Sequence, residues 1–274
     1  MDVKQAKKND RKLVMVTAYD YPFGLMADQA GVDIVLVGDS LGMVVMGLDG
    51  TVEVTMEHMI HHTRAVVQGC KNPLVVGDMP FMSYNTGMRD AIINAGRLMK
   101  EGGCDVVKLE GGVDFAPTVK AIVKAGIPVQ GHIGLTPQTA SALGGFKMQG
   151  KDVAAAGKII DDARALEDAG AFSIILEAVP APLGKLVTRA VKVPVIGIGA
   201  GSDVDGQVLV THDMIGLFDK FIPKFVKQYA NIREIIIEAI GEYKKEVQEI
   251  KFPGAEHSFK MPAETLEQLI KNQQ

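Results

Sequence analysis

Gly103-Cys104-Asp105-Val106-Val107-Lys108-Leu109-Glu110 reads as a turn glycine, a short apolar strand and an acid at the strand's end. The pattern recurs along the chain. Gly31 leads into Asp33-Ile34-Val35-Leu36-Val37-Gly38 and then Asp39, and Pro73 into Leu74-Val75-Val76-Gly77 and then Asp78. Pro128 leads into Val129-Gln130-Gly131 and His132, and Gly170 into Phe172-Ser173-Ile174-Ile175-Leu176 and Glu177. Apolar runs this continuous belong to strands buried on both faces. The carboxyl ends of parallel strands in an α/β protein all face one way. Asp39, Asp78, Glu110, His132 and Glu177 are therefore expected to converge on one pocket.

Eight strands are predicted, near 13–18, 33–38, 74–77, 105–109, 127–132, 172–177, 194–198 and 207–210. Helical segments lie between them at Pro22–Gln29, Thr55–Gln68, Met88–Lys100, Phe115–Lys124, Lys151–Asp168 and Leu183–Val191, with Thr55 suited to an N-cap. The alternation fits an open doubly wound sheet or a closed barrel. Strand count favours a (β/α)8 TIM barrel, for which about 250 residues is a usual size. No internal linker rich in Pro, Gly or Ser is present. Residues 1–274 are read as a single barrel domain with an N-terminal segment and extra C-terminal helices. Gly134 to Lys151 follows His132 on the active face and reads either as a lid or as a structural loop. Phe225 to Glu249 carries Tyr229, Ile232, Ile236, Ile240 and Tyr243 near helical spacing, and such a helix packs on its own barrel or on another subunit.

A net charge of −4, with no dense basic stretch beyond the first dozen residues, argues against nucleic acid as a partner. No run approaches the roughly 20 apolar residues of a membrane span. Leu13-Val14-Met15-Val16 is too short for a signal-peptide core. Cys70 and Cys104 lie far apart without C-x-x-C spacing, as in a reduced, cytoplasmic protein.

Asp39, Asp78 and Glu110 are hard oxygen donors and suit Mg²⁺. There is no H-E-x-x-H and no Cys/His cluster for zinc. A metal placed there can bind a 2-oxo acid and stabilise its enolate. Lys108 stands two residues before Glu110, on the same side of its strand, and a barrel-interior lysine needs an anion: a substrate carboxylate, Glu110, or both. The nearby acids keep it charged, which opposes a Schiff-base role. His132 is placed to donate a hydrogen bond to substrate or leaving group, and Glu177 to act as general base. Gly197-Ile198-Gly199-Ala200-Gly201 fails the G-x-G-x-x-G pattern at Ser202, so it reads as a close backbone approach to ligand or a tight turn.

Longer strings carry a resemblance. They include Val37-Gly38-Asp39-Ser40-Leu41-Gly42-Met43, Asp78-Met79-Pro80-Phe81-Met82, Val107-Lys108-Leu109-Glu110-Gly111-Gly112 and Gly131-His132-Ile133-Gly134-Leu135-Thr136-Pro137-Gln138. Glu177-Ala178-Val179-Pro180 and Phe252-Pro253-Gly254-Ala255-Glu256-His257-Ser258-Phe259 continue the match. Together they resemble the ketopantoate hydroxymethyltransferase family, whose barrels are similar to those of phosphoenolpyruvate mutase and isocitrate lyase. The resemblance implies transfer of a hydroxymethyl group from 5,10-methylenetetrahydrofolate to 2-oxoisovalerate through a Mg-stabilised enolate, giving ketopantoate for pantothenate and coenzyme A synthesis. It implies that Asp39, Asp78 and Glu110 hold Mg²⁺, the last two partly through water. Asp39, Ser40, Asp78 and Lys108 would contact the oxo acid, Glu177 would accept the proton and His132 would assist. A cytoplasmic homo-oligomer, often a decamer of two pentameric rings, is implied as well. The alternative is a related carbon–carbon lyase acting on a 2-oxo acid, but the loop from Gly144 to Gly150 lacks the Cys such an enzyme carries. A non-enzymatic barrel would have no use for acids at the strand ends.

Overall fold

The computed structural model describes residues 3–142 and 144–273, so the ends of the chain and Leu143, in the predicted loop, lie outside the described residues. Eight parallel strands close into a barrel in sequence order. They are β1 (Leu13–Thr17), β2 (Ile34–Val37), β3 (Leu74–Asp78), β4 (Val106–Glu110), β5 (Val129–Gly134), β6 (Ser173–Glu177), β7 (Val195–Ile198) and β8 (Gly206–Leu209). All eight fall on the predicted runs. Helices α1 (Val3–Lys8), α2 (Tyr21–Gln29), α3 (Leu41–Val44), α4 (Met56–Gly69), α5 (Met88–Arg97), α6 (Ala116–Lys124), α7 (Val153–Asp168) and α8 (Ala181–Ala190) precede or join the strands through β7. Thr55 caps α4 as expected, accepting the His58 N–H. The predicted helix to Lys100 is α only as far as Arg97, beyond which its last turn widens into a π turn over Leu98–Gly102. A loop alone joins β7 to β8.

Strand alternation sorts the residues. Outward side chains such as Val75, Val107 and Ile174 pack under the helices. Inward ones at the amino ends, including Leu13, Met15, Ile34, Val76, Ile196 and Val208, fill the barrel floor. Helix α1 plugs that floor from below with Val3 and Ala6. Its Lys7 Nζ donates to the carbonyls of Thr188, Val191 and Val193 at 2.8–3.0 Å and pairs with Asp205 at 2.9 Å. The inward positions at the carboxyl ends are polar. The β3–β4 register sets Asp78 beside Lys108, and the β4–β5 register sets Glu110 beside His132.

After β8 the short helix α9 (Thr211–Met214) is followed by an irregular segment, then α10 (Ile232–Gln248) and α11 (Ala263–Lys271). The predicted Phe225–Glu249 helix thus begins seven residues late, because a turn at Lys224–Phe225 and an irregular run to Asn231 occupy its start. Ile236, Ile240 and Tyr243 are 40%, 63% and 57% exposed, so this helix does not pack on its own barrel. Among the described residues no helix is long and apolar enough to cross a membrane.

Candidate active site

A cavity of about 830 Å³ opens at the carboxyl ends of the strands, and Asp39, Ser40, Asp78, Lys108, Glu110, His132 and Glu177 all line it. The convergence expected from the strand ends is therefore present. Asp39 follows β2, and its backbone N–H donates to Asp78 Oδ2 at 3.1 Å. Ser40 Oγ hydrogen-bonds the Tyr19 hydroxyl at 2.8 Å. Lys108 Nζ lies 2.8 Å from Asp78 Oδ1 and 3.9 Å from Glu110 Oε1, so its nearer anion is Asp78 rather than Glu110.

Lys108 Nζ is also 3.3 Å from His132 Nδ1. An ammonium can only donate, so Nδ1 accepts and the imidazole proton sits on Nε2. That nitrogen is 3.1 Å from Glu177 Oε2. Burial, with Lys108 beside it, lowers the pKa of His132 and keeps the ring neutral. Lys108, His132 and Glu177 thus form a line from the pocket floor outward. Glu177 is the open end, with a side chain 13% exposed against 5% for His132. Gly134 pairs with Glu177 across the β5–β6 register at φ 91°, and a Cβ there would run into the Glu177 carbonyl. Only glycine lets the two strands approach this closely at Glu177.

The carboxylates are crowded. Burial, then repulsion from Asp78, pushes Asp39 up to about 8. Burial likewise holds Glu110 well above the ordinary carboxylate range, with Lys108 opposing. For Lys108 burial works against the charge, but Asp78, Glu110 and Asp39 outweigh it and raise the pKa. Among the described residues Glu110 Oε1 receives no aligned hydrogen bond, nor does Asp78 Oδ1 despite its ion contact with Lys108, and His132 Nε2 makes none despite its nearness to Glu177. Among the described residues no three His, Cys, Asp or Glu side chains draw together as a ready-made metal shell. Lys108 stands between Asp78 and Glu110, and Gln138 between Asp39 and Glu110.

Gln138 is a site residue that sequence reasoning missed. It sits in a short 3-10 turn (Pro137–Thr139) after β5. Its Nε2 donates to Asp39 Oδ2 at 2.8 Å and to the Met79 carbonyl at 2.9 Å, and its backbone N–H donates to Glu110 Oε2 at 3.1 Å. The Tyr84 hydroxyl donates to Gln138 Oε1 at 2.6 Å. Gln138 was inside a motif already quoted, but nothing in its spacing showed that its amide reaches two different strand ends. Asp213, on α9, also lines the cavity and was not anticipated. The outer wall is built by Phe146, Lys147 and Met148 of the predicted loop and by Phe218 and Phe225 after α9. The loop is tied down next to the site, where the Gln149 N–H donates to the Ala178 carbonyl at 2.9 Å. Gly199 and Gly201 line the mouth with positive φ, serving both as a turn and as a close backbone wall.

Residues 1–255 match the family model described as ketopantoate hydroxymethyltransferase. The chain belongs to this family. A curated ketopantoate hydroxymethyltransferase relative from Moorella thermoacetica, named 3-methyl-2-oxobutanoate hydroxymethyltransferase, is 60% identical over 254 residues, covering 93% of this chain and 94% of its own. One of the same name from Carboxydothermus hydrogenoformans is 56% identical over 267 residues, covering 97% of each. The ketopantoate hydroxymethyltransferase family is one of transferases, so this barrel is an enzyme's. Its fold is shared with phosphonopyruvate hydrolase, solved with oxalate and Mg²⁺, at a TM-score of 0.60 and 12% identity over 100% of this chain and 96% of that one. It is shared also with 2,3-dimethylmalate lyase of the PEP mutase/isocitrate lyase superfamily, at a TM-score of 0.58 and 15% identity over 98% and 93%.

Proposed function

We propose that this chain transfers a hydroxymethyl group from 5,10-methylenetetrahydrofolate to 2-oxoisovalerate, yielding ketopantoate and tetrahydrofolate. The observation that carries the reading is the Lys108–His132–Glu177 line, with its carboxylate opening onto the cavity. Glu177 accepts the C3 proton of the oxo acid. The Nε2–H of neutral His132, 3.1 Å from Glu177 Oε2 but not aligned on it, stands beside that carboxylate, while Lys108 and Ser40 hold the substrate's carboxylate and keto oxygens. Both carbon–nitrogen bonds of the carrier's methylene carbon break: the C3 carbanion replaces one nitrogen and the oxygen of water the other, and the C3 proton and one proton of water end on the two freed nitrogens.

The residues fit magnesium, a cation that binds through one or two carboxylates and keeps its other positions for water and substrate. Asp39 and Asp78 would hold it, with Glu110 through water. Their crowding, and a Glu110 Oε1 left without an aligned hydrogen bond among the described residues, supply a charge a divalent cation relieves. Bound there, Mg²⁺ supplies the Lewis acid that stabilises the enolate. The exposed apolar residues of α10 support a homo-oligomer, and the family resemblance points to a decamer. Soluble substrates and the two free thiols, Cys70 and Cys104, fit the cytoplasm.

The test is proton exchange. Protein, Mg²⁺ and 2-oxoisovalerate are incubated in D₂O, and the C3 proton is followed by NMR, first without and then with the carrier. Metal-dependent exchange above the buffer blank is expected, and Glu177→Gln should abolish it while oxo-acid binding persists. Exchange at the native rate in that variant would remove Glu177 as base, and no exchange or product with either mixture would sink the assignment.

A further inference from the structure

The cavity is far larger than the site so far described. At about 830 Å³ it has the size of a pocket for a drug-sized ligand, typically ~300–1,000 Å³, and a five-carbon oxo acid fills only its floor. Much of the remaining wall is apolar and aromatic, and Thr17, Thr51, Lys147, Lys224 and Asp213 are its polar members. Asp213 is 7% exposed, lines this wall, and has a buried Oδ1 with no hydrogen-bond partner among the described residues. A buried carboxylate without donors is costly, and its backbone position does not require an acid. Thr211 already ties this turn to β1, its N–H donating to Thr17 Oγ1 at 3.0 Å. Asp213 contributes its own backbone N–H, donated to the Val210 carbonyl at 3.1 Å, which any residue but proline could make.

We propose that Asp213 recognises the 2-amino-4-oxo edge of the pterin ring of the one-carbon carrier. The proposal rests on the carrier assigned above. That edge carries two parallel N–H donors, N3–H and the 2-amino group, and a carboxylate offers two acceptor oxygens side by side. No other common part of the carrier has this pattern. The walls suit the rest of the ring: Phe218 and Phe225 line the same cavity, and Phe225 is held in place against Gly199, where a Cβ would strike its ring at 2.6 Å. Burial pushes Asp213 up to about 6, so at pH 8 it is ionised and accepts only, as the two donors require.

Binding of tetrahydrofolate and of its 2-desamino analogue to the wild-type chain and to Asp213→Asn, at pH 8 by fluorescence titration, tests this. The wild type should bind the analogue about 10- to 100-fold more weakly, the range set by a hydrogen bond to a charged group. Asp213→Asn, which places an N–H₂ where an acceptor is needed, should bind tetrahydrofolate weakly and no longer distinguish the two ligands. A merely structural role would lower both affinities in parallel and leave the preference intact, and that result overturns the proposal. So does a wild type that binds both equally, a comparison that does not depend on the variant folding. Turnover with no preference for the 2-amino group defeats Asp213 alone. A wild type that neither binds tetrahydrofolate nor forms ketopantoate defeats the proposed function with it.

Discussion

Replacing Gln138 by leucine should destabilise the barrel and uncouple its carboxylates. The residue is 3% exposed and leucine is of similar volume, so lost polar contacts dominate. The bond to Asp39 is worth about 1.5–3 kcal/mol while Asp39 is ionised and about 0.5–1.5 kcal/mol once it is protonated. The Tyr84 hydroxyl and the Met79 carbonyl lose the partner they find in the amide, at about 1–3 kcal/mol each. Burying the leucine side chain returns about 1–2 kcal/mol. The net loss is about 4 kcal/mol, which at roughly 2–4 °C per kcal/mol lowers the melting temperature by about 8–16 °C. Because Asp39 is pushed up to about 8, the penalty should be about 1 kcal/mol larger at pH 9 than at pH 6. Denaturant unfolding of the wild type, Gln138→Leu, Asp39→Asn and the double variant at both pH values gives the coupling directly. About 1–2 kcal/mol is expected at pH 9. A melting temperature within ~2 °C of wild type, or no coupling at either pH, would refute the reasoning.

Magnesium should stabilise the protein more at pH 9 than at pH 6. Asp39 is held above its unfolded value near 4, so its contribution to stability is full below that value and is lost as pH rises through about 8. A cation then takes the place of the lost proton. Equal melting shifts at both pH values under saturating Mg²⁺ would exclude Asp39 as a ligand. Ile240→Glu on the exposed face of α10 should lower the particle mass seen by light scattering while the circular dichroism is kept. An unchanged mass would place the subunit contact elsewhere.

The barrel was legible because its strands are buried on both faces. Val35, Val75, Val107 and Ile174 need apolar neighbours outside, just as Ile34, Val76, Val106 and Ile175 need them inside. The strand-end acids were legible for a related reason: parallel strands share one direction, so residues at equivalent ends must meet. Gln138, Tyr84 and Asp213 were not legible, since each reaches the site from a turn or loop beyond its strand, where no period fixes direction: the first two back the acids, and Asp213 lines the cavity. Asp213 lies four residues past the end of β8, so the strand-end pattern stops short of it. The run before α10 misled for the opposite reason. Tyr229 continues the helical spacing of Ile232, Ile236 and Ile240, yet the chain before Ile232 is irregular and Phe225 serves the cavity wall.

The Lys7 contacts carry a consequence for biosynthesis. The plug beneath the barrel is made well before its anchors, because its partners lie at Thr188 to Asp205. At about 5–20 residues per second the ribosome needs roughly 10–40 s to travel that far. Through that interval the floor of the nascent barrel has no latch. Helix α1 thus cannot be latched until the last strands of the barrel are being made, and an extension fused ahead of Val3 would burden assembly at a late step rather than an early one.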